Sequence, residues 1–176
     1  MKKLSMQELN RVNVEEFKQL EKTPIIVVLD NIRSMNNIGS IFRTCDAFKV
    51  EALFLCGITA TPPNNEIRKT ALGATESVDW IYYNTTQEAI EELIKNNYTI
   101  YAIEQAENSN KLGEFKINSE NKIAIILGNE VDGVQQDIIN TSNGCIEIPQ
   151  FGTKHSFNVS VTTGIVLWEL FNQLKR

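Results

Sequence analysis

The stretch Ile123-Ala124-Ile125-Ile126-Leu127-Gly128-Asn129-Glu130-Val131-Asp132-Gly133 sets five apolar residues directly against a polar loop with two glycines. The apolar run is short and shows no polar alternation. It reads as a strand buried on both faces, the pattern of a parallel sheet covered by helices. Residues 25–29, Ile-Ile-Val-Val-Leu, repeat it. Working outward, further strands are expected at 52–56, 81–83, 98–103 and 145–148. Helical spacing falls at 36–48, 86–96, 134–139 and 158–174. In the first of these helices Ile38, Ile41, Phe42, Cys45 and Phe48 share one face, and Arg43 lies opposite. Strands alternating with helices define an α/β domain with a mostly parallel sheet and crossover helices.

Near the start, Ser5 and Asn13 each stand three residues before a Glu. That capping pattern predicts two short helices, over 5–11 and 14–21, before Pro24 stops the helical pattern. Residues 1–23 thus read as a helical extension and 24–176 as one domain. Residues 57–65 read as a loop around Pro62-Pro63, and 104–121 as polar and irregular.

With 42% hydrophobic and 22% charged residues, the 176-residue chain has the balance of an ordinary globular domain. No apolar run approaches the roughly 18 residues of a membrane span. No apolar core follows Met1-Lys2-Lys3, so no export signal is expected. Cys45, Cys56 and Cys145 are widely spaced with no C-x-x-C pair. They read as reduced thiols of a cytoplasmic protein, without a zinc site. His155 is the only histidine, which excludes a His-rich metal site and argues against a Ser-His triad. There is no G-x-G-x-x-G, no G-x-x-x-x-G-K-[ST] and no G-x-S-x-G. The net charge of −5 argues against a simple electrostatic nucleic-acid binder, but not against an enzyme with a local basic patch.

Three segments carry more polar chemistry than scaffold needs. Residues 36–43 follow a buried strand, where ligands gather in parallel sheets. Residues 127–133 place Glu130 at the mouth of the most apolar strand, and the two glycines allow tight turns or close approach to a ligand. Residues 148–158 gather Lys154, His155, Ser156 and Asn158 in one loop. Each also has a plain reading: a capping Asn and a solvated Arg, a loop with solvated acids, and Asn158 as the N-cap of the last helix.

In this order, the three segments resemble the signature of the SpoU (TrmH-like) RNA methyltransferases of the SPOUT class. The first motif matches Asn37 and Arg43 in NNIGSIFRTCDAF. The second matches Gly128 and Glu130 in IAIILGNEVDGV. The third matches Ile148, Pro149, Ser156, Asn158 and Ser160 in IEIPQFGTKHSFNVSV. The resemblance covers about residues 24–174. Phe157 stands where Leu is usual, and Thr162-Thr163 where small residues are frequent.

The resemblance implies an α/β sheet whose C-terminal part is threaded into a deep trefoil knot. It implies S-adenosylmethionine held by the knot loops, a homodimer, and methyl transfer to a ribose 2′-hydroxyl of tRNA or rRNA. Val161, Ile165, Trp168 and Phe171 make the last helix more apolar than a one-sided helix needs, which also favours pairing. By carry-over, Arg43 is the central catalytic residue, with Asn37, Glu130, Ser156 and Asn158 around it. Glu130 would hold Arg43 or Asn158 in place, and Asn37 would orient the ribose or Arg43. Ile103, Gly128, Ile148, Ser156 and Phe157 are the cofactor candidates. Arg33, Arg68, Lys69 and Lys154, expected in loops near the site, are the RNA-binding candidates. With about 23 residues before the first strand, RNA selection is expected from the domain itself. The competing reading is a non-catalytic RNA-binding or ribosome-assembly protein that keeps the fold. A SPOUT enzyme acting on a base fits the Asn–Arg first motif less well.

Overall fold

The computed structural model describes residues 1–5, 7–117 and 121–174. Its centre is a seven-stranded sheet. In chain order the strands are Thr23–Asp30 (β1), Val50–Cys56 (β2), Trp80–Tyr83 (β3), Thr99–Ile103 (β4), Asn110–Lys111 (β5), Ile123–Leu127 (β6) and Gly144–Glu147 (β7). They lie side by side as β3-β2-β1-β6-β4-β7-β5, and every pairing is parallel.

The helices are Val14–Gln19 (α1), Met35–Ala47 (α2), Asn65–Ala71 (α3), Ala74–Ser77 (α4), Thr86–Lys95 (α5), Gln136–Thr141 (α6) and Val159–Leu174 (α7). Two cores form, one on each face of the sheet. In β1, Ile25, Val27 and Leu29 enter one core and Ile26 and Val28 the other. That two-sided burial is why the strand reads as a continuous apolar run. Each such side chain stabilises the fold by about 1.5–3 kcal/mol.

Several local expectations need correction. Of the expected helix at 5–11, Met6 lies outside the described residues and 7–10 form a turn. The capping bonds between Ser5 and Glu8 are present. However, Asn10 turns left-handed at φ 46°, and the described residues of this segment are all exposed. A cap without a buried face does not hold a helix. The second capping box succeeds because Phe17 of α1 is buried. Pro24 lies inside β1, as its second residue. The loop expected over 57–65 ends earlier, at the Asn64 cap, and the chain beyond it forms α3 and α4. The Asn64 side chain accepts from the N–H groups of Glu66 and Ile67, while Ile67 and Ala71 are buried four residues apart. α3 packs so closely on α2 that a Cβ on Gly39 would collide with Ile67 and Thr70. Within 104–121 a two-residue strand forms on the sheet edge, and 118–120 lie outside the described residues.

The strand order positions the site. β6, late in sequence, inserts between β1 and β4, and β7 pairs on the other side of β4. The chain runs from β1 toward β2 and β3 on one side, and the later strands fill the other. The carboxyl ends of β1, β6, β4 and β7 therefore converge, with the segments that follow each of them. In open α/β sheets this is where ligands bind.

Candidate active site

Four segments surround this convergence: 31–37 after β1, 128–135 after β6, 104–109 after β4 and 148–158 after β7. Hydrogen bonds join each to the next in a closed ring. Glu130 accepts from the N–H groups of Arg33 (3.0 Å) and Ser34 (3.1 Å) and from Asn37 Nδ2 (3.1 Å). Asn129 Nδ2 donates to the Asn31 carbonyl at 2.8 Å. Glu104 Oε2 accepts from Val134 N–H at 3.1 Å. Gln105 Nε2 donates to the His155 carbonyl at 2.6 Å. Asn158 Nδ2 then donates to Asn37 Oδ1 at 3.0 Å, closing the ring across 121 residues of sequence.

The segment after β6 is a tight hairpin. Asn129 and Gly133 exchange backbone hydrogen bonds at 3.0 Å each. A Cβ on Gly128 would collide with the backbone of Gly133 and Val134. The close approach expected of a glycine here is therefore to its own loop.

Asp30 anchors the hairpin from beneath. It ends β1 and is 0% exposed. Its carboxylate accepts from Asn31 Nδ2, Thr86 Oγ1, Gln135 Nε2 and Gln135 N–H. Sequence reading missed Asp30, Glu104, Gln105 and Gln135. Asp30 and Glu104 were within reach, since each is a carboxylate at the carboxyl end of an apolar strand.

Between the segments lies a cavity of about 1030 Å³, the size of a site for a substantial organic ligand. All five cofactor candidates, Ile103, Gly128, Ile148, Ser156 and Phe157, line it, together with Glu130 and Asn158. Its charged lining is one-sided among the described residues: Glu104, Glu107, Glu130, Asp132 and Glu147, with no Lys or Arg.

Asn37 and Arg43 lie outside the lining. Asn37 is tied to it at both ends, through Glu130 and Asn158. Arg43 sits six residues further along α2, a rise of about 9 Å. It is exposed and has no hydrogen-bond or ion-pair partner among the described residues. Glu130 thus grips Asn37 rather than Arg43, and reaches Asn158 only through Asn37. Burial pushes the Glu130 carboxyl up, but donors from Arg33, Asn37 and Ser34 outweigh it, and the net shift is downward. Asn158 serves two ends, since its Oδ1 also accepts from Ser160 N–H at 2.9 Å at the start of α7.

Of the four RNA candidates, Arg33 and Lys154 lie in loops of this rim and are exposed. Arg68 and Lys69 do not lie in a loop: both are on α3, built by the Asn64 cap and the buried Ile67 and Ala71. Lys69 pairs with Glu66 at 2.6 Å. Cys45, Cys56 and Cys145 are free and buried. Burial pushes the Cys56 thiol up to about 12.

The sheet and cavity define an α/β domain of the parallel-sheet class, with its cavity at the carboxyl ends of the central strands. The SpoU rRNA Methylase family matches residues 24–168, and the chain belongs to that family. An uncharacterized tRNA/rRNA methyltransferase of Borreliella burgdorferi is 34% identical over 92% of this chain and 69% of its own length. The 23S rRNA (guanosine-2'-O-)-methyltransferase RlmB of Neisseria meningitidis is 32% identical over 93% of this chain and 65% of its own. The chain thus spans about two thirds of these relatives. An AdoMet-bound rRNA methyltransferase from Sinorhizobium meliloti superposes with a TM-score of 0.80 at 25% identity, covering 90% of this chain and 60% of that one. The fold is therefore the SPOUT fold of the SpoU/TrmH enzymes. No described helix is long and apolar enough to cross a membrane.

Proposed function

We propose that the protein is an S-adenosylmethionine-dependent methyltransferase acting on a ribose 2′-hydroxyl of tRNA or rRNA, as a homodimer. The observation that carries this is the cavity: it joins the second and third motif loops and, among the described residues, is lined by carboxylates without Lys or Arg. Such a lining suits a cationic ligand and disfavours the phosphates of ATP or NAD. Family membership supports the same cofactor, as does the AdoMet-bound Sinorhizobium meliloti relative.

The residues present fit that cofactor. Ile103, Ile148 and Phe157 supply apolar walls, and the backbone around Gly128 and Ser156 supplies amides for an adenine edge. The bound sulfonium supplies an electrophilic methyl. What remains for the chain is to align a poorly nucleophilic hydroxyl and to stabilise the alkoxide that develops. Arg43 is suited to a charge role, because a guanidinium with a pKa above 12 keeps its proton. Without a partner among the described residues, it is available to an RNA phosphate or the reacting oxygen. Both ends of Asn37 are engaged, so it positions the rim, with Glu130 and Asn158 as its anchors. Ser156, on the cavity wall, is suited to a place between cofactor and ribose.

RNA would reach the site across Arg33, Arg68, Lys69 and Lys154. Phe151, 96% exposed and three residues before Lys154 in the same loop, adds an aromatic face of the kind on which unpaired bases stack. For the homodimer, support comes from α7. Its Val166, Leu167 and Leu170 are buried in the core, while Val161 and Trp168 on the outer face are 48% and 60% exposed. The trefoil threading belongs to the same reading: after β7 the chain returns across the sheet to pack α7 on α2. The boundary expected after residue 23 shifts by one, since Thr23 already pairs with β2, and residues 1–22 are the extension to the domain.

Methyl transfer from labelled S-adenosylmethionine to unmodified tRNA and rRNA, with site mapping, tests the function. Transfer to a ribose oxygen is expected. Cofactor binding without transfer to any RNA would favour the non-catalytic assembly reading, and tight NAD binding without S-adenosylmethionine binding would sink the cofactor assignment.

A further inference from the structure

The five carboxylates of the cavity are not equivalent. Glu130 is engaged by three donors on the α2 side. Glu147 accepts from Ser109 Oγ at 2.8 Å. Glu107 and Asp132 are exposed, where water and salt screen them. Glu104 shares half-burial with Glu147 but differs in how it is held: backbone N–H groups fix both of its carboxylate oxygens. It lies just past β4, between the strands whose loops wall the cavity. Its N–H donates to the Ile146 carbonyl at 3.2 Å, which fixes it against β7. Its Oε1 accepts from Gln105 N–H at 2.9 Å and its Oε2 from Val134 N–H at 3.1 Å. Gly133 packs onto it so tightly that a Cβ there would collide with the carboxylate. Each oxygen keeps a further acceptor site, and no cation pairs with Glu104 among the described residues. A carboxylate on the cavity wall is thus held in place by backbone donors, with its charge uncompensated.

Resting on the reading of this cavity as the S-adenosylmethionine site, we propose that Glu104 is its specificity-determining residue: it makes the cavity prefer the sulfonium cofactor over the demethylated product. The two ligands share nearly every atom. They differ in one methyl and in charge, since the sulfonium form carries one net positive charge and the thioether product none. Apolar walls and backbone amides meet both alike. A fixed, partly desolvated carboxylate is the kind of group that separates them, because its attraction acts on the charge that methyl transfer removes. Product then leaves more readily than fresh cofactor.

Calorimetric titration of S-adenosylmethionine and S-adenosylhomocysteine into wild type, Glu104→Gln and Glu104→Asp tests this. The quantity read is the ratio of the two affinities, from which any common effect of loosening the hairpin cancels. Glu104→Gln is expected to shift the ratio toward the product by roughly three- to tenfold, and Glu104→Asp, which keeps the charge, to retain most of the wild-type ratio. In the wild type the preference for the cofactor is expected to narrow with added salt. An unchanged ratio in Glu104→Gln overturns the proposal, because a purely structural role weakens both ligands alike. A salt-independent wild-type ratio overturns it even if the variant does not fold. Failure of the wild type to bind either compound would instead refute the methyltransferase reading itself.

Discussion

Replacing Glu130 by Gln removes a charge and almost no shape. In the wild type Oε1 accepts from Ser34 N–H and Asn37 Nδ2, and Oε2 from Arg33 N–H, all within 3.0–3.1 Å. An amide oxygen can serve the first pair, but its NH2 then faces the Arg33 N–H. One charge-assisted bond is lost and two are weakened. Bonds to charged groups contribute about 1.5–3 kcal/mol each, and the exposure of Glu130 discounts this strongly. The expected loss is about 1 kcal/mol, or roughly 2–4 °C in Tm for a domain of this size. The effect has a pH signature. The Glu130 carboxyl lies below its ordinary value of 4.5 in the folded protein. It therefore adds stability that is present above that value and lost as pH falls through the folded value. The gap between wild type and Glu130→Gln should be full at neutral pH and close in acid. Urea denaturation from about pH 7 to about pH 3 measures it. Loosening Asn37 should also slow single-turnover methyl transfer by about ten- to a hundredfold. A stability gap that stays constant into acid would refute the assignment of the Glu130 charge to these three donors.

Arg43→Ala should leave cofactor affinity nearly unchanged and lower methyl transfer by at least about a hundredfold, with Arg43→Lys also impaired because a point charge lacks the planar fork. Near wild-type turnover in a folded Arg43→Ala protein would remove it from the mechanism. Asn158→Ala should weaken both cofactor binding and turnover, since Asn158 lines the cavity and closes the ring at Asn37; calorimetry and single-turnover rates report the two separately. Gly128→Ala should destabilise the domain by about 1–3 kcal/mol through collision with Gly133 and Val134, measured as a drop in urea midpoint. Sedimentation should show a dimer at micromolar concentration that Trp168→Lys weakens, and a wild-type monomer there would count against a shared site.

Elements whose burial is written locally are legible from the amino acids alone. β1 and β6 are buried on both faces, so every residue of 25–29 and 123–127 had to be apolar. α2 is buried on one face, so its apolar residues recur at helical spacing and leave Arg43 outside. The motif residues were visible for a related reason: each clusters in a short segment past a strand. Elements held by neighbours were not legible. The Ser5 cap looks as good as the Asn13 cap, and only a buried Phe17 separates a turn from a helix. β5 is two exposed residues paired with β7, which leaves no pattern. α3 rests on two buried side chains against α2. That β6 enters between β1 and β4 is not written in any one segment, because strand order is set by packing between segments distant in sequence. That order brings four loops together, lets Asn158 reach Asn37 across 121 residues, and turns Glu104 from the end of an ordinary strand into a wall of the cavity.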